Sequence, residues 1–75
     1  MQTVYEIQNR GSRSHIIGVA DHISGGDVRS DAHHKPVNVY INPGKKVTVT
    51  EACGKKLVEG WKDEIELVKK STRKD

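Results

Sequence analysis

The clearest hydrophobic pattern lies near the middle of the chain. Two runs rich in β-branched residues, Val37–Ile41 and Val47–Thr50, alternate apolar and polar side chains, which is typical of β-strands. Pro43 presets φ for the second position of a turn and Gly44 accepts a positive φ, so a type II turn is predicted between them. If the valines of both runs face inward, a two-residue hairpin would mix inward and outward residues on one face. The strands therefore connect through a longer hairpin with a bulge or through an arch between two sheets.

Shorter patterns predict four further elements. In chain order these are strands at Thr3–Gln8 and His15–Val19, a short helix at Thr50–Gly60 and a last strand at Asp63–Val68. Thr50 suits the N-cap of the helix and Gly60 its C-terminal end. Gly54 inside the helix indicates that another backbone passes close to it. In the last strand, alternation predicts that Ile65 and Leu67 face inward.

Two segments carry no strand or helix pattern. Residues 21–36 are polar and rich in glycine, with Ile23 and Val28 isolated among them. Unstructured loops longer than about 12–15 residues are usually functional or disordered, so we expect this one either to reach a partner or to be a flexible insertion. Residues 69–75 form a charged tail with nothing to bury, which we expect to be mobile.

These elements predict a β-rich α+β fold with the order β-β-long loop-β-β-α-β. A small sheet of short strands protects its unpaired edges by curving into a closed or two-layered structure. We therefore expect a small five-stranded barrel or a sandwich with one short helix. The single domain would span residues 1–68. At 75 residues, such a chain buries only about 60% of its unfolded surface.

The composition indicates that the core is thin. The chain has no phenylalanine, one tryptophan and two tyrosines, and its one cysteine excludes an internal disulfide. A thin core without disulfide bonds favours stabilisation by neighbouring protein chains, through self-association or through docking on a larger assembly. We therefore expect a homo-oligomer, or a chain that becomes ordered on a partner.

No pattern in the chain predicts an active site, a cofactor or a metal site. The neighbouring His33 and His34 point opposite ways in an extended segment, and no CxxC, HxxxH or HExxH spacing is present. Cys53 fits a small buried thiol, because no oriented base and third group accompany it. Gly25 and Gly26 lack the helix and lysine of a phosphate-binding loop. We therefore expect a protein that is not an enzyme and holds no cofactor.

Nucleic-acid binding is the alternative that the charges leave open. The net charge is +3, and basic residues recur in pairs along the chain. Tyr5 and Tyr40 are the only tyrosines for stacking bases, with Tyr40 predicted to face outward. Acidic residues are interleaved with the lysines, which favours an ordinary solvated surface. No apolar run approaches the ~20 residues of a membrane span, and the first residues lack a signal-peptide pattern, so we expect synthesis in a cytoplasm and no membrane contact.

The layout of the chain resembles that of a group of phage proteins. The pieces that carry the resemblance are the strand and turn Val4–Arg10, the apolar-x-Pro-Gly-x-x-Val-x-Val pattern of Val39–Val49, the helix Ala52–Leu57 and the strand Glu64–Val68. This order is similar to that of short proteins encoded among the head genes of tailed bacteriophages and Mu-like prophages. The resemblance implies a virion structural protein, most specifically a decoration (cement) protein on the capsid surface that bridges major capsid subunits. The resemblance also implies an alternative virion role, that of a head–tail joining protein. It assigns no catalytic residues to this chain.

The expected contacts with a partner lie in the long loop, in the first turn and along exposed strand edges. The candidate partner-binding residues are Arg10, Arg13, His22, Asp27, Arg29, His33, His34 and Tyr40.

Overall fold

The computed structural model describes residues 2–73, which form short strands and one α-helix. In chain order the elements are β1 (Gln2–Asn9), β2 (His15–Gly18), a 3-10 turn (Val19–Asp21), β3 (His22–Gly25), β4 (Asp27–Ser30), β5 (Pro36–Ile41), β6 (Lys46–Thr50), α1 (Glu51–Gly60) and β7 (Ile65–Arg73). The first sheet has the strand order β3-β6-β1-β7 and the second sheet the order β2-β5-β4. All pairs are antiparallel.

The predicted β-rich class with one short helix is confirmed for the described residues. The strand count is different, because seven strands rather than five are present. They form two open sheets, so the chain does not close into a barrel.

The two central strands are joined by an arch. β5 belongs to the second sheet and β6 to the first, so the chain crosses between sheets at the predicted Pro-Gly turn. Gly44 has a φ of 81°, and the backbone N–H of Lys45 donates to the carbonyl of Asn42 at 3.0 Å. A positive φ at the third position, with that hydrogen bond, fits the type II turn predicted from the sequence. The arch is one of the two connections that the sequence left open.

One hydrophobic core is shared by both sheets and the helix. It contains Tyr5, Ile7, Val47, Val49 and Ile65 from the first sheet, Ile17, Val39 and Ile41 from the second, and the partly buried Cys53, Leu57 and Val58 of α1. Two residues predicted to face inward are not covered: Val37 is 44% exposed and Leu67 39%. Val37 lies beyond the last β2–β5 pair, Gly18 with Asn38. Leu67 lies on an edge strand beside a register shift.

Residues 21–36 are not the unstructured loop that their composition predicts. They contain β3, which pairs with β6, and β4, which pairs with β5. Gly25 and Gly26, with φ of 79° and 71°, turn the chain between the two strands. Each strand has only four residues and one large apolar side chain, Ile23 or Val28. Alternation is not visible over so short a run, so no strand was predicted here.

The last strand is longer than its apolar pattern. β7 continues past Val68 and pairs with β1 as far as Arg73 opposite Gln2. The prediction of a mobile tail is therefore wrong for residues 69–73, while residues 74–75 lie outside the described part of the chain. Backbone pairing along an edge strand requires no buried side chain, so a polar sequence can form it.

The helix begins and ends as predicted. Thr50 Oγ1 accepts a hydrogen bond from the backbone N–H of Cys53 at 3.4 Å, which confirms the N-cap. Gly54 is buried, and a Cβ at this position would lie 2.6 Å from Cβ of Tyr5. The close neighbour of Gly54 is thus the Tyr5 side chain rather than a backbone, and the missing side chain lets α1 rest on β1.

The fully buried side chain of Asn9 links the first sheet to the second through hydrogen bonds. The side-chain amide of Asn9 donates to the carbonyl of Ile41 at 2.8 Å and to that of Arg13 at 2.6 Å. Its side-chain oxygen accepts from the backbone N–H of Gly11 at 2.9 Å. The sequence indicated only a turn here, whereas the structure makes Asn9 the link between β1, the β1–β2 turn and the end of β5.

Candidate functional site

Alternation along the second sheet creates an outward face with mixed chemistry. Ile17 and Val39 point into the core, so their neighbours Ile16 and Tyr40 point the other way. Tyr40 lies opposite Ile16 on β2 and opposite Asp27 on β4. Ile16 is 55% exposed, more than any other large hydrophobic residue among residues 2–73.

An arginine side chain lies over the tyrosine ring of this face. The guanidinium of Arg29 lies 4.7 Å from the ring centre of Tyr40. Its Nη2 and Nε contact Oδ2 of Asp27 at 2.7 and 3.0 Å. An exposed ion pair contributes at most about 1 kcal/mol, so its main effect is to fix the position of the guanidinium. We call the set formed by Ile16, Gly18, Asp27, Arg29, Asn38 and Tyr40 the Tyr40 face.

The Tyr40 face has the composition of a protein-binding surface. Tyrosine and arginine are enriched at interface centres. A tyrosine ring brings a large contact area at a small entropic cost, and the guanidinium of arginine is a planar donor of several hydrogen bonds. An aliphatic side chain beside them adds apolar area that a partner would bury. Three of the predicted partner-binding residues, Asp27, Arg29 and Tyr40, are therefore brought together by the β4–β5 pairing.

Arg10 and Arg13 lie elsewhere, in the turn after β1, and each contacts a carboxylate. Arg10 bonds to Glu66, whose hydrogen bond and charge raise the pKa of the guanidinium above its usual value. Nε of Arg13 lies 3.2 Å from Oε1 of Glu64, and its guanidinium lies 5.2 Å from the ring centre of Trp61. Both arginines therefore tie the turn to the residues around the start of β7.

A buried histidine lies next to this arginine cluster. His15 is 6% exposed, and its ring meets that of Trp61 edge-on at 4.9 Å. Its Nε2 lies 3.5 Å from Oε1 of Glu64 and has no hydrogen-bond partner. The histidine fills space between β2 and the turn before β7. The sequence did not indicate that His15 contacts Trp61 and Glu64, because these contacts depend on the packing of distant segments.

The remaining three candidates do not join either group. Nε2 of His22, at the start of β3, lies 2.7 Å from the carbonyl oxygen of Gly25. His33 and His34 sit at the exposed tip of the β4–β5 hairpin. There, Oδ1 of Asp31 accepts hydrogen bonds from the backbone N–H groups of His33 and Lys35 at 2.8 and 3.0 Å. Asp31 thus orders the tip without using either imidazole.

The metal-ligating and thiol side chains of the described residues are a further feature of the surface and core. Within residues 2–73, no three histidine, cysteine or acidic side chains lie close enough together to hold a metal ion. Burial raises the pKa of the Cys53 thiol and the charge of Asp21 raises it further, so the reactive thiolate is disfavoured. No helix within the same residues is long and apolar enough to cross a membrane.

Sequence reasoning missed Ile16 as part of the Tyr40 face. The signal was present, because two consecutive isoleucines in one strand must point to opposite faces. Ile17 enters the core, and Ile16 is therefore left on the surface.

Comparison with protein-family models, with curated proteins and with solved structures finds no match to this chain.

Proposed function

We propose that the chain is a non-enzymatic structural protein of a tailed-phage particle, and most specifically a decoration protein that binds major capsid subunits at the capsid surface. The Tyr40 face carries this proposal. A tyrosine ring, a fixed guanidinium and an exposed isoleucine form the kind of patch that binds protein. The order of strands, Pro-Gly turn and helix supports the phage assignment through its resemblance to small head proteins.

The size of the core supports a role that depends on a partner. Among residues 2–73, nine hydrophobic residues are buried, and a single cysteine excludes an internal disulfide. A partner that binds the folded chain and not the unfolded one raises its stability by mass action. A capsid lattice presents the same subunit surface many times, so a small domain gains both support and a regular array of sites.

The aromatic rings favour protein over nucleic acid as the partner. A cation lies over each ring: Arg13 over Trp61 at 5.2 Å, Arg29 over Tyr40 at 4.7 Å and Lys70 over Tyr5 at 5.7 Å. Single-stranded nucleic acid binds by stacking bases on open aromatic faces, and here each base would first displace a cation. Nucleic-acid binding by a small basic domain remains the rival. A fluorescent oligonucleotide titrated over a salt series tests it, because phosphate-driven affinity falls steeply as salt rises.

The test of the decoration role uses heads isolated from the phage or prophage whose genes adjoin this one. The purified protein should co-sediment with the heads and raise the temperature at which they disrupt. Tyr40→Ala should weaken binding by about tenfold or more, since truncating an interface tyrosine commonly costs about 2 kcal/mol or more. Lys55→Ala changes an exposed residue on α1 and is the matched control.

Several outcomes would contradict the proposal. Absence of co-sedimentation rules out decoration, and binding to tails or necks alone would indicate a joining role. Equal binding by the Tyr40→Ala and control variants would exclude the Tyr40 face as the contact.

A further inference from the structure

The longest strand of the molecule is also an edge strand. β7 has nine residues and pairs with β1 on one side. Within residues 2–73 no strand pairs with its other side. Every second backbone amide and carbonyl of β7 therefore points outward, as a template on which another extended chain could add.

The second half of β7 is basic on both faces of the sheet. Lys69 lies opposite Glu6 and Lys70 opposite Tyr5 on β1, and Arg73 closes the strand opposite Gln2. All three cations are exposed. Among residues 2–73, no carboxylate forms an ion pair with them. This half of the edge therefore attracts negative charge.

The first half of β7 borders an open cleft. The cleft has a volume of about 360 Å³ and a mixed lining. Its apolar part is formed by Val58 of α1 with Ile65 and Leu67 of β7, and its charged part by Arg10, Lys62, Asp63, Glu64 and Glu66. Leu67 is 39% exposed. In strand addition, backbone hydrogen bonds give affinity while pockets for alternate side chains give specificity. The cleft is placed to take one apolar side chain of an added strand.

The charges argue against a second copy of this chain as the added strand. Lys69 is the middle residue of β7. Two copies paired antiparallel over their full length would set Lys69 against Lys69, and like charges directly opposite each other are destabilising. Lysines on an edge strand are a common protection against self-pairing, and the same lysines favour an acidic partner.

We propose that an extended acidic segment of another protein adds to the outer edge of β7 as a fifth strand of the first sheet. Its acidic side chains face Lys69, Lys70 and Arg73, and one apolar side chain enters the cleft beside Val58 and Leu67. The inference rests on the proposed function for the identity of that protein, which on a phage head would be a capsid subunit.

The experiment uses two blocked nine-residue peptides as probes, one repeating Asp-Asp-Val and one repeating Lys-Lys-Val, so that an added strand carries charge on both faces. Each is titrated into the isotopically labelled protein and followed by NMR. The acidic peptide should bind and should slow hydrogen exchange of the outward-pointing amides of β7, while the lysine peptide should not. Exchange protection at β7 distinguishes strand addition from adsorption to a charged face.

A charge-reversed variant makes the test specific. Lys69→Glu/Lys70→Glu should weaken binding of the acidic peptide by about tenfold or more. Lys45→Glu/Lys46→Glu makes the same change in net charge at the β5–β6 turn and should retain most of the affinity. No binding at millimolar peptide, protection at another edge, or equal loss in both variants would overturn the proposal. Exchange protection of β7 in the protein alone that grows with its concentration would identify a second copy as the occupant and would also overturn it.

Binding to isolated phage heads distinguishes a failure of this inference from a failure of the proposed function on which it rests. If wild-type protein and Lys69→Glu/Lys70→Glu bind heads equally well, decoration stands and strand addition at β7 fails. If the peptide results hold but neither protein binds heads, the edge is a binding site and the capsid is not its partner.

Discussion

Replacing Asn9 with alanine should remove the link between the two sheets at a measurable cost. The side chain is fully buried and forms three hydrogen bonds, to the backbone of Ile41, Arg13 and Gly11. The bond to Ile41 is buried and the other two are partly buried. An unsatisfied buried group costs about 1–3 kcal/mol, and each partly buried bond contributes about 0.5–1.5 kcal/mol. We therefore expect a loss of roughly 3 kcal/mol in the free energy of unfolding.

That loss is large for a chain of this size. Typical stabilities of about 0.05–0.15 kcal/mol per residue give roughly 4–11 kcal/mol for such a domain. Urea unfolding followed by the fluorescence of Trp61 and by circular dichroism measures the change, provided that the two signals coincide. Asn38→Ala, at an exposed position of β5, should change stability by no more than about 0.5 kcal/mol.

A second substitution at the same site tests the reasoning through pH. In Asn9→Asp the carboxylate would face the carbonyls of Ile41 and Arg13, where the asparagine amide donates. Burial and two carbonyl oxygens disfavour the charged form, so the pKa of this aspartate should be raised in the folded state. The variant should therefore be least destabilised below the unfolded pKa of about 3.9 and should lose stability as pH rises through the folded pKa. A cost below about 1 kcal/mol for Asn9→Ala, or no pH dependence for Asn9→Asp, would refute the reasoning.

Two further predictions concern the helix. Gly54→Ala should lower the free energy of unfolding by about 1 kcal/mol or more, because the new Cβ would lie 2.6 Å from Cβ of Tyr5. The cost of this overpacking outweighs the better helix propensity of alanine. Gly60→Ala is the control: no atom lies within 4 Å of the new Cβ, so this substitution should be neutral or stabilising in the same urea assay. The Cys53 thiol should react with iodoacetamide more slowly at pH 8 than a small model thiol, because burial and the charge of Asp21 raise its pKa. With the folded pKa raised, this thiol favours folding at neutral pH and loses that contribution as pH rises through the folded pKa, so stability should fall in alkali. Thiolate chemistry as fast as that of the model thiol would contradict the assigned burial.

Most of the elements that the sequence predicted have enough residues to show a period; β2, with only four residues, is the exception and was marked by two adjacent isoleucines. β5, β6 and α1 each combine a run of apolar positions with a strong punctuating residue such as Pro43 or Thr50. β3 and β4 have four residues each, and the end of β7 is polar, so their pairing depends on partners distant in the chain. Local pattern cannot report such pairing.

The candidate site shows the same limit. Asp27, Arg29 and Tyr40 were each recognisable as surface residues, but only the register between β4 and β5 makes them neighbours. Arg10 and Arg13 were predicted to contact a partner, and both are exposed, yet each contacts a glutamate near the start of β7. Residue type thus indicated which side chains are available for contacts, and long-range pairing decided which of them act together.

The position of β1 has a consequence for synthesis. β1 is made before both of its neighbours in the sheet, β6 and β7, and at least 36 residues separate it from either of them. A nascent chain therefore holds an unpaired hydrophobic strand while the segment between β1 and β6 is made, and contacts between segments so distant in the chain form slowly. A premature stop that removes β7 would leave one side of β1 open to other chains, so truncated products should aggregate rather than fold.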